Sequence, residues 1–159
     1  MAVNTFNNDY ALQNYAHILS KLPYRKPFLF VDRLHSITEN GVEGSYTFPE
    51  DSYFYAGHFA GNPITPGVIL TEVMAQIGVV CLGLFLLADA QSGDIDIALT
   101  STQIDFYKPV FPTETVLVRS TKDYFRFHKL KCTVEMLNSN GELVCRGAIS
   151  GMMKPKKYA

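Results

Sequence analysis

One long apolar run constrains what this chain can fold into. It extends from Val68 to Ala88 and reads VILTEVMAQIGVVCLGLFLLA. A run of about 20 apolar residues is long enough to cross a bilayer, but Glu72 and Gln76 interrupt this one. An acidic group near the middle of a spanning helix costs about 2.5–3.5 kcal/mol. The uninterrupted part, Ile77–Ala88, falls in the range of about 10–14 residues that is typical of a buried core helix. We therefore predict no membrane span but a helix wrapped by the rest of the protein.

The segments around this run carry the signals of one short helix and a set of strands. Apolar residues recur at helical spacing over Tyr10–Leu22, and Pro23 ends that predicted helix. Elsewhere, β-branched and aromatic residues form runs typical of antiparallel strands with one buried face. The predicted strands are Phe28–Leu34, Val42–Phe48, Ile95–Phe106, Thr115–Thr121, Tyr124–Leu137 and Glu142–Met153.

Turn and loop signals separate these elements. Asn40-Gly41 and Asn138–Gly141 predict hairpin turns. Asp51–Thr65 is rich in Gly, Pro and aromatic residues without periodicity, which predicts a loop. Thr65 is predicted to cap the apolar helix, with Pro66 at its first position. The order of elements predicts an α+β fold in which an antiparallel sheet wraps around one long apolar helix.

Length and composition narrow the class of protein. The 159 residues predict one domain over 1–159, with a flexible opening at 1–9 and a basic tail at 154–159. A formal net charge of −1 argues against nucleic-acid binding. The three cysteines have neither disulfide nor metal spacing, so we expect no metal site. Because the opening residues lack a secretory signal, we expect a cytoplasmic protein.

Of the four histidines, His58 has the most suggestive surroundings. It lies in Tyr55–Pro63, an aromatic and glycine-rich loop that leads directly into the apolar helix. Loops anchored on a rigid element often carry catalytic groups. The other three, His17, His35 and His128, are interpreted as surface or half-buried imidazoles.

Glu72 is the second candidate for catalysis. A carboxylate inside an otherwise apolar helix is costly unless it is paired, and burial should raise its pKa. Two interpretations stay open: a hydrogen bond to Gln76 on the same helix face, or a catalytic acid or base.

The start of the apolar helix is the third feature. Its unpaired main-chain N–H groups form a partly positive site for an oxyanion, and Gly67 would let a carbonyl approach closely. An ordinary helix terminus would have the same sequence pattern. Taken together, His58, Gly67 and Glu72 could place a base, an oxyanion site and an acid around one small pocket.

Three segments resemble a known family. The first is Gly57–Val68, GHFAGNPITPGV, with Glu72–Gln76, EVMAQ, after it. The second is Leu22–Arg33, LPYRKPFLFVDR, and the third is Asp105–Pro112, DFYKPVFP. They are similar to 3-hydroxyacyl-[acyl-carrier-protein] dehydratases of the FabZ type, and the spacing from His58 to Glu72 matches that family. The likeness extends over about residues 18–153.

The resemblance implies a fold, an assembly and a reaction. The fold is the hot-dog fold, and the assembly is a homodimer whose sites each take His58 from one subunit and Glu72 from the other. Such dimers often form trimers of dimers. His58 would remove a proton from C2, Glu72 would protonate the C3 hydroxyl, and Gly67 N–H would bind the thioester carbonyl. No cofactor is implied, since the phosphopantetheine of an acyl carrier protein holds the substrate.

The chain also departs from the family. Ala60, Tyr24 and Thr113-Glu114 stand where proline, histidine and Gly-Asp are usual. These departures remove no catalytic group, but they leave open a dehydratase of a dedicated polyene-pigment or unusual-lipid pathway. A hot-dog acyl-thioesterase and a non-catalytic carrier-docking subunit stay open as well.

Two further sets of residues are predicted to contact the substrate or its carrier. Basic side chains should steer an acidic carrier protein. The predicted docking residues are Arg25, Lys26, Arg126 and Lys129. The predicted substrate-pocket residues are Phe59, Val68, Ile69, Val73, Gln76 and Phe106.

Overall fold

The structure, a computed structural model, describes residues 15–88 and 95–156. The predicted flexible opening at 1–9 lies outside these residues. So does the first part of the predicted helix Tyr10–Leu22, of which residues 15–19 are described and helical.

The apolar run forms a single long helix at the centre of the protein. This central helix extends over Gly67–Leu86. It is α-helical over Gly67–Ala75 and Leu82–Leu86, and it widens to a π-helix over Gln76–Cys81. It is long and apolar enough to cross a membrane, yet most of it is buried inside the protein. The prediction of a buried core helix is therefore confirmed.

One antiparallel sheet surrounds this helix. In the described residues its order is β1-β2-β4-β5-β6-β3, so β1 and β3 form its two edges. Every neighbouring pair is antiparallel, which confirms the predicted α+β architecture. The strands are β1 (Arg33–Thr38), β2 (Gly41–Thr47), β3 (Ile95–Phe106), β4 (Thr115–Arg126), β5 (Lys129–Leu137) and β6 (Leu143–Pro155).

Small residues let the helix lie close against the sheet. A Cβ added at Gly78 would lie 3.0 Å from Val134 Cγ1 and 3.1 Å from Ser120 Cβ. A Cβ at Gly83 would overlap the Met153 thioether. The Ser120 hydroxyl donates a hydrogen bond of 2.7 Å to the Gly78 carbonyl, which joins β4 directly to the π-helical part. At this packing density an added methyl group would have to displace a neighbour.

The predicted strand Phe28–Leu34 is wrong for most of its length, because β1 begins only at Arg33. The Phe30 N–H donates to Gln76 Oε1 at 2.8 Å, and the Phe28 carbonyl accepts from Gln76 Nε2 at 3.0 Å. A buried side-chain amide thus satisfies these two main-chain groups in place of a strand. Pairing with β2 starts only at Asp32, whose N–H donates to the Ser45 carbonyl at 3.0 Å. The apolar pattern of the segment could not reveal the amide partner.

The predicted strand Tyr124–Leu137 is in fact a hairpin. Its turn is at Phe127 and His128, whose φ angles are 51° and 61°. Two consecutive left-handed residues are the geometry of a two-residue hairpin turn, which normally uses Gly, Asn or Asp. The predicted break before Tyr124 is instead a β-bulge within β4.

The predicted turn at Asn40-Gly41 is displaced by one residue. Thr38 pairs with Gly41, so Glu39 and Asn40 form the turn and Gly41 begins β2. A Cβ at Gly41 would overlap the main-chain carbonyl of Ser120. The glycine is therefore required by the close approach of β4 and not by the turn.

Candidate active site

His58 lies on the loop that leads into the central helix. Its main-chain N–H donates to the Phe54 carbonyl at 3.0 Å, and its carbonyl accepts from the Ile64 N–H at 2.9 Å. Its ring Nδ1 lies 2.8 Å from the Ile64 carbonyl oxygen. Because a carbonyl can only accept, Nδ1 carries the hydrogen and Nε2 of the neutral ring is left unprotonated. This is the tautomer that a general base acting at Nε2 requires.

The start of the central helix lies beside His58. Pro66 is the N-cap residue, and no side chain caps the helix. The predicted cap, Thr65, is wrong, because the Thr65 hydroxyl is hydrogen-bonded to the buried Tyr55 hydroxyl at 2.6 Å. The helix terminus is therefore left without a side-chain acceptor for its first N–H groups.

Gly67 is the first residue of that helix. The first main-chain bond of the helix runs from the Ile69 N–H to the Pro66 carbonyl at 2.9 Å, so the Gly67 N–H precedes it and carries the positive end of the helix dipole. A Cβ at Gly67 would lie 3.3 Å from the Phe106 ring. Because glycine has no side chain, the end of β3 can lie close against the start of the helix.

A cavity of about 350 Å³ connects these groups. His58, Gly67 and Phe106 all line it, together with Lys108 from the segment after β3. An imidazole with an unprotonated Nε2 and a helix N-terminus therefore border the same space, as expected for a site that polarises a carbonyl and removes a neighbouring proton.

Glu72 lies further along the central helix, where it is half-buried. The Gln76 Nε2 donates a hydrogen bond of 2.9 Å to Glu72 Oε1. Burial raises the pKa of the Glu72 carboxyl, and the hydrogen bond from Gln76 acts in the opposite direction. Glu72 also borders a second cavity, of about 110 Å³, with Tyr24 and Leu99. Of the two interpretations that the sequence left open, the structure shows the bond to Gln76; it also places Glu72 beside a cavity, as a catalytic acid or base would require.

The two candidate catalytic side chains border different cavities of the chain. The cavity of Glu72 meets β3 at Ile97–Leu99, near the start of that strand, whereas the cavity of His58 meets it at Phe106, its last residue. One chain therefore brings His58 together with Gly67 but leaves Glu72 in separate surroundings.

The predicted substrate-pocket residues fall into three groups. Phe106 borders the cavity beside His58, and the Phe59 ring stacks on the His58 ring with centroids 4.0 Å apart. Val68 is 76% exposed at the start of the helix. The buried members, which border neither cavity, are Ile69, Val73 and Gln76.

The predicted carrier-docking residues lie on two separate elements. Arg25 and Lys26 precede β1, and the Arg25 guanidinium donates to two main-chain carbonyls, at 2.9 and 3.2 Å. Arg126 and Lys129 flank the turn between β4 and β5, where the Arg126 guanidinium lies 4.6 Å from the centre of the Tyr124 ring.

Three groups near these cavities were not predicted from the sequence. The Ile64 carbonyl, which orients His58, is a main-chain group and has no sequence signal. Tyr24 borders the cavity of Glu72; burial, and then the charges of Glu72 and Cys81, raise the pKa of Tyr24 to about 12. Lys108 is held by Glu142 at 2.8 Å. Only their positions within the resemblance segments could have pointed to Tyr24 and Lys108.

The cysteines contribute to the core. Cys81, Cys132 and Cys145 are free and buried, and Cys132 lies opposite Ile149 in the pairing of β5 with β6. Within residues 15–88 and 95–156, no three His, Cys, Asp or Glu side chains are arranged to hold a metal ion.

Sequence comparison places this chain among known proteins. The FabA-like domain model matches residues 22–148. The 3-hydroxyacyl-[acyl-carrier-protein] dehydratase FabZ of Caldicellulosiruptor saccharolyticus is 35% identical over 137 residues, which cover 83% of this chain and 92% of that protein. The FabZ of Ehrlichia chaffeensis is 32% identical over 144 residues, covering 89% and 95%.

Solved structures agree on the fold. The dehydratase heterocomplex ApeI:P from Xenorhabdus doucetiae matches with a TM-score of 0.74 at 13% identity, over 87% of this chain and 91% of that one. A hypothetical thioesterase protein with coenzyme A from Streptococcus pneumoniae matches with a TM-score of 0.58 at 11% identity, over 93% and 100%. At such identities the likeness concerns the fold alone, and it confirms the hot-dog fold that the resemblance implied. The matching family model and the FabZ relatives show that the chain belongs to the FabA-like family, as a FabZ-type member.

Proposed function

We propose that this protein removes water from 3-hydroxyacyl-[acyl-carrier-protein] to give trans-2-enoyl-[acyl-carrier-protein] in fatty-acid biosynthesis. The observation that carries the proposal is the bond between His58 Nδ1 and the Ile64 carbonyl, which leaves Nε2 as a base beside a helix N-terminus. The names of the FabZ relatives support the same reaction.

The positions of three groups suggest how the reaction proceeds. The Gly67 N–H polarises the thioester carbonyl, which acidifies the hydrogen on C2. His58 Nε2 takes that proton, and the electron pair of the C–H bond forms the double bond between C2 and C3. Glu72 gives its proton to the C3 hydroxyl, which leaves as water. The raised pKa of Glu72 supports this role, since a buried carboxyl stays protonated to higher pH.

We propose that the site is completed by a second subunit. β3 is an edge strand, and Leu99 on it is 54% exposed. If two copies pair antiparallel through β3 about a two-fold axis, the start of one strand lies beside the end of the other. The cavity of Glu72, at Ile97–Leu99, then meets the partner's cavity of His58, at Phe106. This geometry supports sites that share His58 and Glu72 across a homodimer.

The proposal also includes the carrier of the substrate, the assembly of the dimers and the location of the protein in the cell. The substrate arrives on the phosphopantetheine of an acyl carrier protein, and the residues named above need no cofactor for the acid–base steps. The homodimers could associate further into trimers of dimers, and the protein acts in the cytoplasm.

The direct test is turnover of 3-hydroxyacyl carrier protein, followed by mass spectrometry as the loss of one water. His58→Ala should lower the rate by about 10²–10⁴, the usual scale for losing a general base. His35→Ala is the matched control, because His35 is exposed and hydrogen-bonded to Ser45, away from the site. Release of a free thiol would indicate a thioesterase instead. A His58→Ala protein with more than about a tenth of the activity would remove His58 from the mechanism.

A further inference from the structure

A third cavity, of about 510 Å³, lies apart from the two that border the candidate catalytic groups. Its walls come from the segment before β1, from Tyr46 on β2 and from the loop that follows β2. His58, Gly67 and Glu72 do not border it. Pockets of about 300–1,000 Å³ are of the size that takes a small organic molecule. The proposed dehydration makes no use of this space.

Aromatic rings form the apolar part of the cavity. The rings of Phe30 and Tyr46 meet edge to face, with centroids 5.5 Å apart, and those of Tyr53 and Phe54 meet in the same way at 5.2 Å. All four residues border the cavity. Such walls suit the apolar body of a ligand, and the faces of the rings also attract a cation.

The Tyr46 hydroxyl brings a polar group into this apolar space. Tyr46 is only 7% exposed, and its hydroxyl has no hydrogen-bond partner among the described residues. No fully enclosed polar side-chain atom of those residues lacks a partner, so this hydroxyl opens into the cavity that Tyr46 borders. Burial, and then Asp32 and Tyr55, raise the pKa of Tyr46 to about 12, so the hydroxyl stays neutral. A ligand that bonded it would satisfy a group that the fold leaves unpaired.

Two carboxylates give the cavity its charge. Asp32 Oδ2 accepts a hydrogen bond of 2.7 Å from the N–H of Thr47, the residue after Tyr46, which leaves Oδ1 available to a ligand. Asp51 borders the cavity as well, and Lys26 is the one basic residue that does so. In the part of the chain that the structure describes, neither carboxylate forms an ion pair. Two acidic groups and one basic group favour a positively charged ligand.

We propose that this cavity is a second binding site, which takes a small organic amine with an apolar body. An ammonium group has three N–H donors and no acceptor. It can donate to the Tyr46 oxygen and to Asp32 Oδ1 together, while the apolar body lies against the rings of Phe30 and Phe54. A carboxylate ligand would instead face Asp32 and Asp51 and be repelled.

The site contacts both segments that lie against the candidate catalytic groups. The Phe54 carbonyl accepts from the His58 N–H at 3.0 Å, and the Phe30 N–H donates to Gln76 Oε1 at 2.8 Å. A bound amine would therefore hold these two main-chain segments without entering the cavities of His58 and Glu72. The inference does not depend on the proposed reaction, because binding is measured without turnover.

Three ligands with the same ring test the preference for positive charge: 2-phenylethylamine, neutral 2-phenylethanol and anionic phenylacetate. The full chain is titrated with each, and NMR signals of labelled tyrosine rings report the site, with Tyr46 assigned by its loss in Tyr46→Phe. The amine should bind at least about 10-fold more tightly than the other two and shift the Tyr46 signal. Equal binding of all three, tighter binding of phenylacetate, or no saturation by the amine below about 10 mM would overturn the proposal.

Two variants at the cavity have opposite expected effects. Asp32→Asn keeps an oxygen for the Thr47 N–H but loses the charge, and it should weaken amine binding by about 10-fold. Lys26→Ala removes a like charge and should strengthen amine binding by about 2–5-fold. Asp123→Asn is the matched control, because Asp123 is exposed and accepts from the Thr133 hydroxyl at 3.0 Å but borders none of the three cavities.

The amine should bind the Asp123→Asn variant as it binds the wild type, and equal affinities for Asp32→Asn and Asp123→Asn would contradict the proposal. If Asp32→Asn does not fold, Lys26→Ala decides alone, since an unchanged or weaker affinity there is incompatible with a site for a cation. A second copy of the chain is the other possible occupant. In that case the Tyr46 signal would change on dilution of the protein and the amine would not bind, which would also overturn the proposal.

Discussion

Two inactive variants of this protein should restore activity when they share a dimer. The perturbation is co-expression of His58→Ala with Glu72→Ala, each with its own affinity tag. Ala98 and Phe106, which border the two cavities, are separated along β3 by about 26 Å at about 3.3 Å per residue. Substrate carbons C2 and C3 are bonded to each other, so the acid and the base must meet in one space. The proposed two-fold dimer through β3 would provide that space.

The expected recovery follows from the symmetry. In a mixed dimer one site carries both defects, and the other combines His58 of the Glu72→Ala chain with Glu72 of the His58→Ala chain. Random assortment makes about half of the dimers mixed, each with one intact site, so about a quarter of wild-type activity should return. Mixed dimers isolated through both tags should show about half of wild-type activity. Co-expression is needed because an obligate dimer does not readily exchange subunits.

A second pairing gives the opposite expectation and serves as the control. Wild-type chains paired with a double variant, His58→Ala and Glu72→Ala in one chain, should give inactive mixed dimers, because each site would lack one group. If both groups belonged to the same chain, this mixed dimer would keep about half of wild-type activity and the first would have none. That result, with mixed dimers verified by their tags, would refute the shared site.

Three other perturbations test the electrostatics, the packing and the docking surface. Glu72→Gln should raise the free energy of unfolding at neutral pH. The reason is that burial raises the pKa of this carboxyl, so its ionised form is disfavoured in the folded protein. The gain in stability should vanish below about pH 4, where the glutamate is protonated in the unfolded chain too. Denaturant titrations at several pH values measure this, and a gain independent of pH would contradict it. Gly147→Ala should destabilise the protein by about 1–3 kcal/mol, because its Cβ would overlap the Gln103 carbonyl between β3 and β6; an unchanged denaturation midpoint would refute this. Reversing the charges of Arg126 and Lys129 should raise KM for carrier-bound substrate but not for a short thioester, and equal losses on both would reject the docking assignment.

Local sequence signals were sufficient for the parts of the fold that local chemistry determines. The central helix could be predicted from the unbroken apolar run Ile77–Ala88, because a chain that folds in water must bury such a run. The loop that holds His58 follows from its glycines, prolines and aromatic residues. Glu72 could be identified as a candidate because a carboxylate inside an apolar helix is costly unless it is paired. These conclusions require no knowledge of which segments meet in space.

The predictions that failed depend on contacts between distant segments. Phe28–Leu34 has the composition of a strand, but Gln76 on the central helix bonds the Phe28 carbonyl and the Phe30 N–H in place of a strand. The β4–β5 turn uses Phe127 and His128 in left-handed conformations, and Phe127 is 90% exposed. Neither residue is typical of such a turn, so the strands on either side determine where the chain reverses. Helix and sheet propensities describe one segment at a time and could not predict either feature.

His58 and Glu72 border different cavities because of the way in which the central helix is buried. A carboxylate on that helix would be costly if the protein enclosed it fully. An acidic residue is therefore tolerated only where the sheet does not cover the helix completely. Glu72 lies at such a place, beside the exposed edge strand β3. His58, on the loop before the helix, has its cavity at the other end of the same strand. An edge strand presents unpaired main-chain groups, and pairing with another strand is one way to satisfy them. Covering it with a second copy would bring an acid to each base, so the contact that hides the edge would also complete the chemistry.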